Sequence, residues 1–494
     1  MFPTGSKKAR EDFSEGEVDR KLGHSRCLDA FIIVLNECCS GVGSGLSTKA
    51  LQLAALELCI ACRTFSTLHV IVNRNTPRRL WARSSEYPLA STSGNSGSYN
   101  VAPTRVPVLR ARAVTWMAAD AEFMSHYNYQ LANVEYVRFG PNFNRSLEGV
   151  VWPGGVRRID FQNCSKFDQP IERVAWPTSL QQLTFGSLFN QRLEGVAWPA
   201  SLQQLKFGTL FNQRVDGVAW PASLQQLTFG DDFNQRIEGV AWPACLQKLT
   251  FGHWFNQCVQ KVVWPASLQQ LTFGRDFDQP IVGVAWPTSL QQLTFGRHFK
   301  QDIQRVAWPT SLEKLTFGFF FNRPIVGVAW PAALQQLTFG YRFSQPIEAV
   351  VWPTSLQQLT FGVSFNSRVE DATWTASLQQ LTFGRQFDQV IEGVMWPPSL
   401  LQLTFGNWFN RPIEGVAWPA SLQQLMFGFS FNQRIEGVTW PASLQQLTFG
   451  GLFNQRIEKV VWPSSLQQLT FGVLFNQPIA EAVWPASLQQ LTFG

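Results

Sequence analysis

Trp220–Ala241 reads WPASLQQLTFGDDFNQRIEGVA, and the same run starts again 22 residues later at Trp242. Tryptophans stay in register at 22-residue intervals from Trp176 to Trp484, and Trp152 joins them after a two-residue insertion within Arg157–Asp168. A degenerate first copy, VEYVRFGPNFNRSLEGV, begins at Val134 and already carries Phe139, Phe143 and Asn144. The LxxLTFG-type segments number about 17 over residues 130–494, the last ending at Phe493-Gly494. A fixed period of roughly 20–29 residues with one apolar strand per period marks a solenoid. The expected fold is therefore a β-rich repeat solenoid, one short parallel strand per 22-residue coil, with a small α-helical N-terminal segment.

The residues of one coil say why it folds. Leu224, Leu227 and Phe229 point one way, while Gln225, Gln226 and Thr228 are left for solvent. Leu227-Thr228-Phe229 has strand period, and LQQLTFG has the length of one short strand. Gly230 follows where the backbone must either adopt a positive φ or pass close to another segment. Phe233, Ile237 and Val240 supply a second inward set, and Trp220-Pro221 fixes an extended approach to the strand. The Asn234 position holds Asn in 11 of 16 copies, with Asp168, Asp278, Asp388, Lys300 and Ser344 in the rest. A short amide there is suited to a structural ladder, bonding backbone groups of its own turn and of the next coil. Nearby, Arg alternates with Pro, as in Arg236 and Pro280, and Arg two residues before Glu predicts exposed ion pairs worth about 0–1 kcal/mol.

Composition narrows the function classes. With 45% hydrophobic and 15% charged residues, the chain as a whole is not a disordered one. The net charge is +6, with roughly four of the excess positives before residue 130. Charge so spread makes no nucleic-acid footprint. The polar start MFPTGSKKAREDFSEGEVDRK is no secretory signal, and the apolar runs Phe31–Leu35 and Leu51–Cys62 are too short for the roughly 20 residues of a membrane span. Five of the eight cysteines fall in the first 62 residues, and Cys164, Cys245 and Cys258 occupy three different coil positions, which is no disulfide framework. Cytosol or nucleus is the expected location.

Ahead of the repeats, residues 1–26 read as a disordered tail and 27–72 as a helical segment. Leu28, Phe31, Ile32 and Leu35 sit at helical spacing, and Ser47 or Thr48 can cap a second helix through Leu51, Leu53, Leu56, Leu58 and Cys62. Such a segment suits a cap over the first coil. Gly41, Gly43 and Gly45 precede that helix but lack the spacing of a phosphate loop. Cys59 and Cys62 lack the second pair that zinc requires. Residues 73–105, with STSGNSGSYN, read as a linker and 106–129 as the leading edge of the solenoid.

Two resemblances attach to these residues. FNQPI (Phe475–Ile479), preceded by SLQQLTFG (Ser465–Gly472), resembles the FNIP repeat, a 22-residue relative of the leucine-rich repeat, and the likeness extends over residues 134–494. It implies a leucine-rich-repeat-like curved solenoid with a role in protein–protein interaction. Trp-Pro departs from the family's more usual residues, and Trp374-Thr375 lacks even the proline. The end of the helical segment, ALELCIACRTFSTL (Ala55–Leu68), resembles the closing helix of an F-box, although the Leu-Pro opening is missing before Phe31. That resemblance implies a substrate-recognition subunit of a ubiquitin ligase.

Comparing coils separates scaffold from surface. The two residues between Gly and Phe change in almost every copy: Asp231-Asp232, His253-Trp254, Arg275-Asp276, Arg297-His298, Phe319-Phe320, Tyr341-Arg342, Val363-Ser364, Arg385-Gln386, Asn407-Trp408. With strands about 4.8 Å apart, these pairs line up as one row beside the strand face. Aromatic and basic residues alternate along its middle, the types enriched at interface hot spots. The residues expected to touch a partner are Asp231, His253, Trp254, Arg275, Arg297, His298, Phe319, Phe320, Tyr341, Arg342, Arg385, Asn407 and Trp408. The chain is thus read as a non-enzymatic scaffold without cofactor or metal, binding a protein or peptide, with no nucleic-acid or membrane partner. A carbohydrate-binding surface is the other reading of an aromatic row. The last strand, ending inside a coil, presents an edge for self-association.

Overall fold

The computed structural model describes residues 134–162 and 166–494, together with four strands ahead of them, β1 (Ile33–Leu35), β2 (Leu68–Val72), β3 (Arg79–Arg83) and β4 (Ala113–Ala118). From β5 (Tyr136–Phe139) and β6 (Arg158–Asp160) onward, strands recur as Gln-Leu-Thr-type tripeptides from Gln182–Thr184 to the slightly longer Gln490–Phe493. Along this series each strand pairs in parallel with the strand of the next coil. Leu227 lies opposite Leu205 on one side and Leu249 on the other. The register therefore advances by one whole coil, and the central Leu of every such strand from Leu183 to Leu469 is buried.

Three tight turns close each coil. Leu224 N–H donates to Pro221 O at 3.0 Å, Phe233 N–H to Gly230 O at 3.2 Å, and Val240 N–H to Ile237 O at 3.4 Å. Between them Leu224, Leu227, Phe229, Phe233, Ile237 and Val240 are buried in every respect the sequence pattern implies. The two phenylalanines stack within the coil, Phe229 on Phe233 at 3.9 Å between centroids. Each also meets its counterpart in the next coil, Phe229 to Phe251 at 5.6 Å and Phe233 to Phe255 at 6.1 Å. A buried Phe contributes about 1.5–3 kcal/mol by transfer, with up to about 1.5 kcal/mol more for a ring pair. Two phenylalanine columns thus run through the core and tie each coil to the next. The tryptophans form a third column, as Trp198 on Trp220 at 6.3 Å. From Trp152 through Trp462 their Nε1–H groups are buried without a protein acceptor, so this column is held by area and stacking.

The glycine after each strand answers to space rather than to dihedral freedom. A Cβ on Gly230 would collide with the backbone carbonyl of Gly208 in the preceding coil. Positive φ is found instead at glycines that immediately precede the buried Val, as Gly239 at 77°. The Asn column is a ladder as expected. Asn234 Oδ1 accepts from Asn256 N–H at 2.9 Å and from Gln257 Nε2 at 2.9 Å. A serine column adds to it, as Ser223 Oγ–H donates to Leu202 O at 2.7 Å. The expected Arg-x-Glu ion pairs do not form, with one exception among the described residues. Arg214 and Asp216 meet at 2.6 Å, which draws the Asp216 carboxyl below its usual range. Elsewhere long exposed side chains keep their rotamer freedom, as weak surface pairing allows.

Part of the N-terminal segment departs from its helical spacing. Ile33–Leu35 is a strand and pairs in parallel with Leu68–Val72. Both runs are rich in β-branched residues, which lose χ1 freedom in a helix and pack well on a sheet. Arg79–Arg83, inside the span read as linker, is also a strand, antiparallel to Leu68–Val72. Ala113–Ala118 pairs in parallel with Tyr136–Phe139. The tail, the second helix with its F-box-like end, and the glycine and Cys-x-x-Cys runs lie outside the described residues.

Candidate functional site

Main-chain bonds hold the variable pairs. Trp254 N–H donates to Asp231 O at 2.8 Å, His298 N–H to Arg275 O at 2.8 Å, Phe320 N–H to Arg297 O at 2.9 Å, and Arg342 N–H to Phe319 O at 2.9 Å. This second backbone ladder runs beside the strands and uses no side chain. The pairs therefore project at fixed spacing whatever residues they are.

The middle of the row forms one contact network. His253 Nδ1 is 3.5 Å from Asp231 Oδ1, and His298 Nδ1 is 3.8 Å from Asp276 Oδ1, which Arg275 also approaches at 3.9 Å. Arg297 lies over the Phe319 ring at 4.6 Å and near Phe320 at 5.6 Å. Phe319 stacks on Tyr341 at 4.4 Å, Arg342 covers Phe320 at 4.8 Å, and His298 meets the Phe320 edge at 5.1 Å. Arg297, His298, Phe319, Phe320, Tyr341 and Arg342 are thus one cluster. Trp254 stands apart toward the N-terminal coils, 60% exposed, and Trp408 toward the C-terminal ones, 50% exposed. Seven coils separate the two tryptophans, about 34 Å by strand spacing. Arg385 and Asn407 sit in the row near Trp408, joined to it by the backbone bonds Trp408 N–H to Arg385 O at 2.9 Å and Ser430 N–H to Asn407 O at 2.7 Å.

A cavity of about 670 Å³ opens beside this cluster, lined by His298, Lys300, Phe320, Asn322, Tyr341, Arg342 and Ser364. Lys300, Asn322 and Ser364 were not among the residues the sequence pattern singles out as contacts. The signal for Lys300 was its place as an exception in the Asn column. Among the described residues no group of three or more His, Cys, Asp or Glu could hold a metal. Cys245 and Cys258 are exposed free thiols.

A second polar constellation escaped the sequence reading because it lies in the two degenerate coils. Asp160, fully buried, accepts from Tyr136 Oη–H at 2.7 Å, from Arg138 Nη2 at 3.2 Å and, through its other oxygen, from Gln162 N–H at 2.7 Å. Arg158 Nη2 stands at 3.5 Å. Burial first, then the Asp160 carboxylate, pushes the Tyr136 hydroxyl up to about 12. Every partner is internal to coils one and two, so the cluster serves as a polar brace on the strand face.

Against known proteins, the model of the FNIP Repeat family matches residues 167–210, 233–276, 277–320, 321–364, 409–451 and 453–494, more than half of the chain. No curated protein sequence matches. Among solved structures, CroV588, described as a novel circular LRR protein structure, is 39% identical with a TM-score of 0.69. The alignment covers 78% of this chain and 59% of that one, so this chain spans about three-fifths of its length. The TLR13–ssRNA13 complex, at 13% identity and TM-score 0.47, covers 77% of this chain and 57% of that one. The Drosophila Toll–Spatzle complex, at 12% and 0.44, covers 74% and 52%. With a leucine-rich-repeat-like solenoid, 22-residue coils and repeat matches through most of its length, this chain belongs to the FNIP repeat family.

Proposed function

We propose that the protein is an interaction scaffold that captures a partner protein or peptide along the variable row and the adjoining Gln/Thr strand face. One observation carries this reading. The positions that differ from coil to coil are those whose geometry is fixed by main-chain bonds alone, and they gather Arg, His, Phe, Tyr and Trp on one rigid surface. Rigid aromatic and arginine side chains bind at low entropic cost, which is why they dominate interface hot spots. Sugar binding is the weaker reading at the two phenylalanines of the central cluster, because stacking needs open ring faces. Phe319 lies between Arg297 and Tyr341, and Phe320 lies under Arg342.

Replacing Trp254, Arg297, Phe320 and Trp408 together by Ala should abolish capture of the partner isolated with residues 130–494, with an unchanged circular dichroism spectrum. Capture undiminished by the four substitutions would sink the reading.

A further inference from the structure

Lys300 and Ser344 are the two exceptions in a column that otherwise holds Asn or Asp. They stand two coils apart, and the cavity beside the cluster lies at the same level of the solenoid. In a regular coil the column residue accepts the next coil's backbone N–H, as Asn234 does. Lysine has no acceptor to offer. Asn322 N–H accordingly has no acceptor among the described residues, although the Asn322 side chain still serves Ser344 N–H at 3.0 Å. Arg323 Nε donates to the Lys300 carbonyl at 2.6 Å, as Gln235 Nε2 does to Asn212 O at 3.0 Å in a regular coil. The coil spacing is kept while one backbone donor is left open on the cavity wall.

The other groups on that wall are donors as well. Arg342 stands over the Phe320 ring at 4.8 Å, and a guanidinium stacked on a ring keeps in-plane N–H donors for a ligand. Ser364 contributes a hydroxyl, and no carboxylate lines the cavity. Asp278 stands 3.4 Å from Lys300 in the preceding coil and Asp276 3.8 Å from His298, whereas neither Arg297 nor Arg342 has a carboxylate at ion-pair distance among the described residues. Tyr341 is 41% exposed, with one face on Phe319.

We propose that this cavity binds a phosphotyrosine carried by a partner peptide, its phosphate held by Arg342, Lys300 and the Asn322 N–H and its ring laid against Tyr341. A carboxylate would be served by the Arg342 fork alone. Donors drawn from three successive coils suit the three terminal oxygens of a phosphate monoester. The volume, far beyond that of free phosphate, and its opening onto the row suit an ester on a chain. The inference rests on the row being a binding surface and names its anchor.

The test uses the full chain with phenyl phosphate, inorganic phosphate, and a short phosphotyrosine peptide beside its unphosphorylated twin, read by calorimetry and fluorescence anisotropy. Lys300→Asn restores the common residue of the column, so it preserves the fold. Arg342→Gln removes the fork, and circular dichroism checks both variants. The phosphopeptide should bind at least tenfold tighter than its twin, and each variant should weaken phenyl phosphate and the phosphopeptide at least tenfold. Equal binding of the twins, binding unchanged in both variants, or inorganic phosphate held as tightly as phenyl phosphate would each overturn the proposal. A chain that ignores every phosphate probe, yet loses its protein partner in the fourfold alanine variant, disproves the anchor and leaves the scaffold reading intact.

Discussion

Replacing Asn234 by Ala isolates the Asn ladder from the rest of the coil. The substitution removes the acceptor of two hydrogen bonds, from Asn256 N–H and Gln257 Nε2, both at 2.9 Å. It leaves residue 234's own N–H bonded to Asn212 Oδ1 at 3.0 Å. A net intramolecular hydrogen bond contributes about 0.5–1.5 kcal/mol. Both donors are half-exposed, so water replaces part of the loss, and about 1–2 kcal/mol remains. In a solenoid the effect stays with the neighbouring coils, so amide hydrogen exchange is the assay. The Asn256 amide should lose protection, about tenfold for each 1.4 kcal/mol. The unaltered chain carries its own control. Asn322 and Asn366, which follow Lys300 and Ser344, have N–H groups with no such bond, whereas Asn432 N–H is held by Asn410 at 2.9 Å. The first two amides should exchange well ahead of those of Asn256 and Asn432. Equal, slow exchange at Asn322 and Asn256 in the unaltered chain would refute the reasoning.

Gly340→Ala should destabilise the solenoid beyond the roughly 1–3 kcal/mol usual for overpacking, because the added methyl meets the unyielding Gly318 carbonyl. Gly239→Ala has open space and suffers only the left-handed backbone cost, about 1–2 kcal/mol. Urea midpoints should rank the two in that order, and the reverse order would remove steric exclusion as the reason for the glycine column. Tyr136 is raised in the folded chain, so the stability it contributes is complete below about pH 10 and is lost as the pH rises toward about 12. Tyr136→Phe should flatten that alkaline decline in a denaturation series. An unchanged decline would assign it to other groups.

The sequence carried the repeat, the strand and the core columns because each depends on period alone. Leu227 and Phe229 sit two apart on a strand, Phe233 follows one turn later, and stacking identical coils leaves no other place for them. The Asn ladder was legible for the same reason, since a short amide recurring at a bend has few other uses. The role of the post-strand glycine was only half legible. Close approach and positive φ both select glycine, and distinguishing them required the distance to the preceding coil. The Asp160 brace was hidden because Tyr136, Arg138, Arg158 and Asp160 break the Gln/Thr pattern in two coils that offer no repeat to compare. The cavity was hidden because it joins two columns, the variable pairs and the Asn position, which are separate in sequence and adjacent only across the buried Phe.

Variation does not mean the same thing in those two columns. The pairs between Gly and Phe are anchored by main-chain bonds such as Trp254 N–H to Asp231 O, so nearly any side chain is tolerated there, and variety alone is weak support for function. In the Asn column the side chain itself makes the bond, and departure from Asn or Asp carries a cost in stability. Lys300 forfeits the bond to Asn322 N–H and gains in return an ion pair with Asp278 whose ammonium is largely exposed, a pair worth little at such a position. A residue that breaks a local rule without compensation within the fold points to use outside it. Where a cluster of arginines and rings on the permissive column meets an uncompensated lysine on the constrained one, the same pocket draws on both.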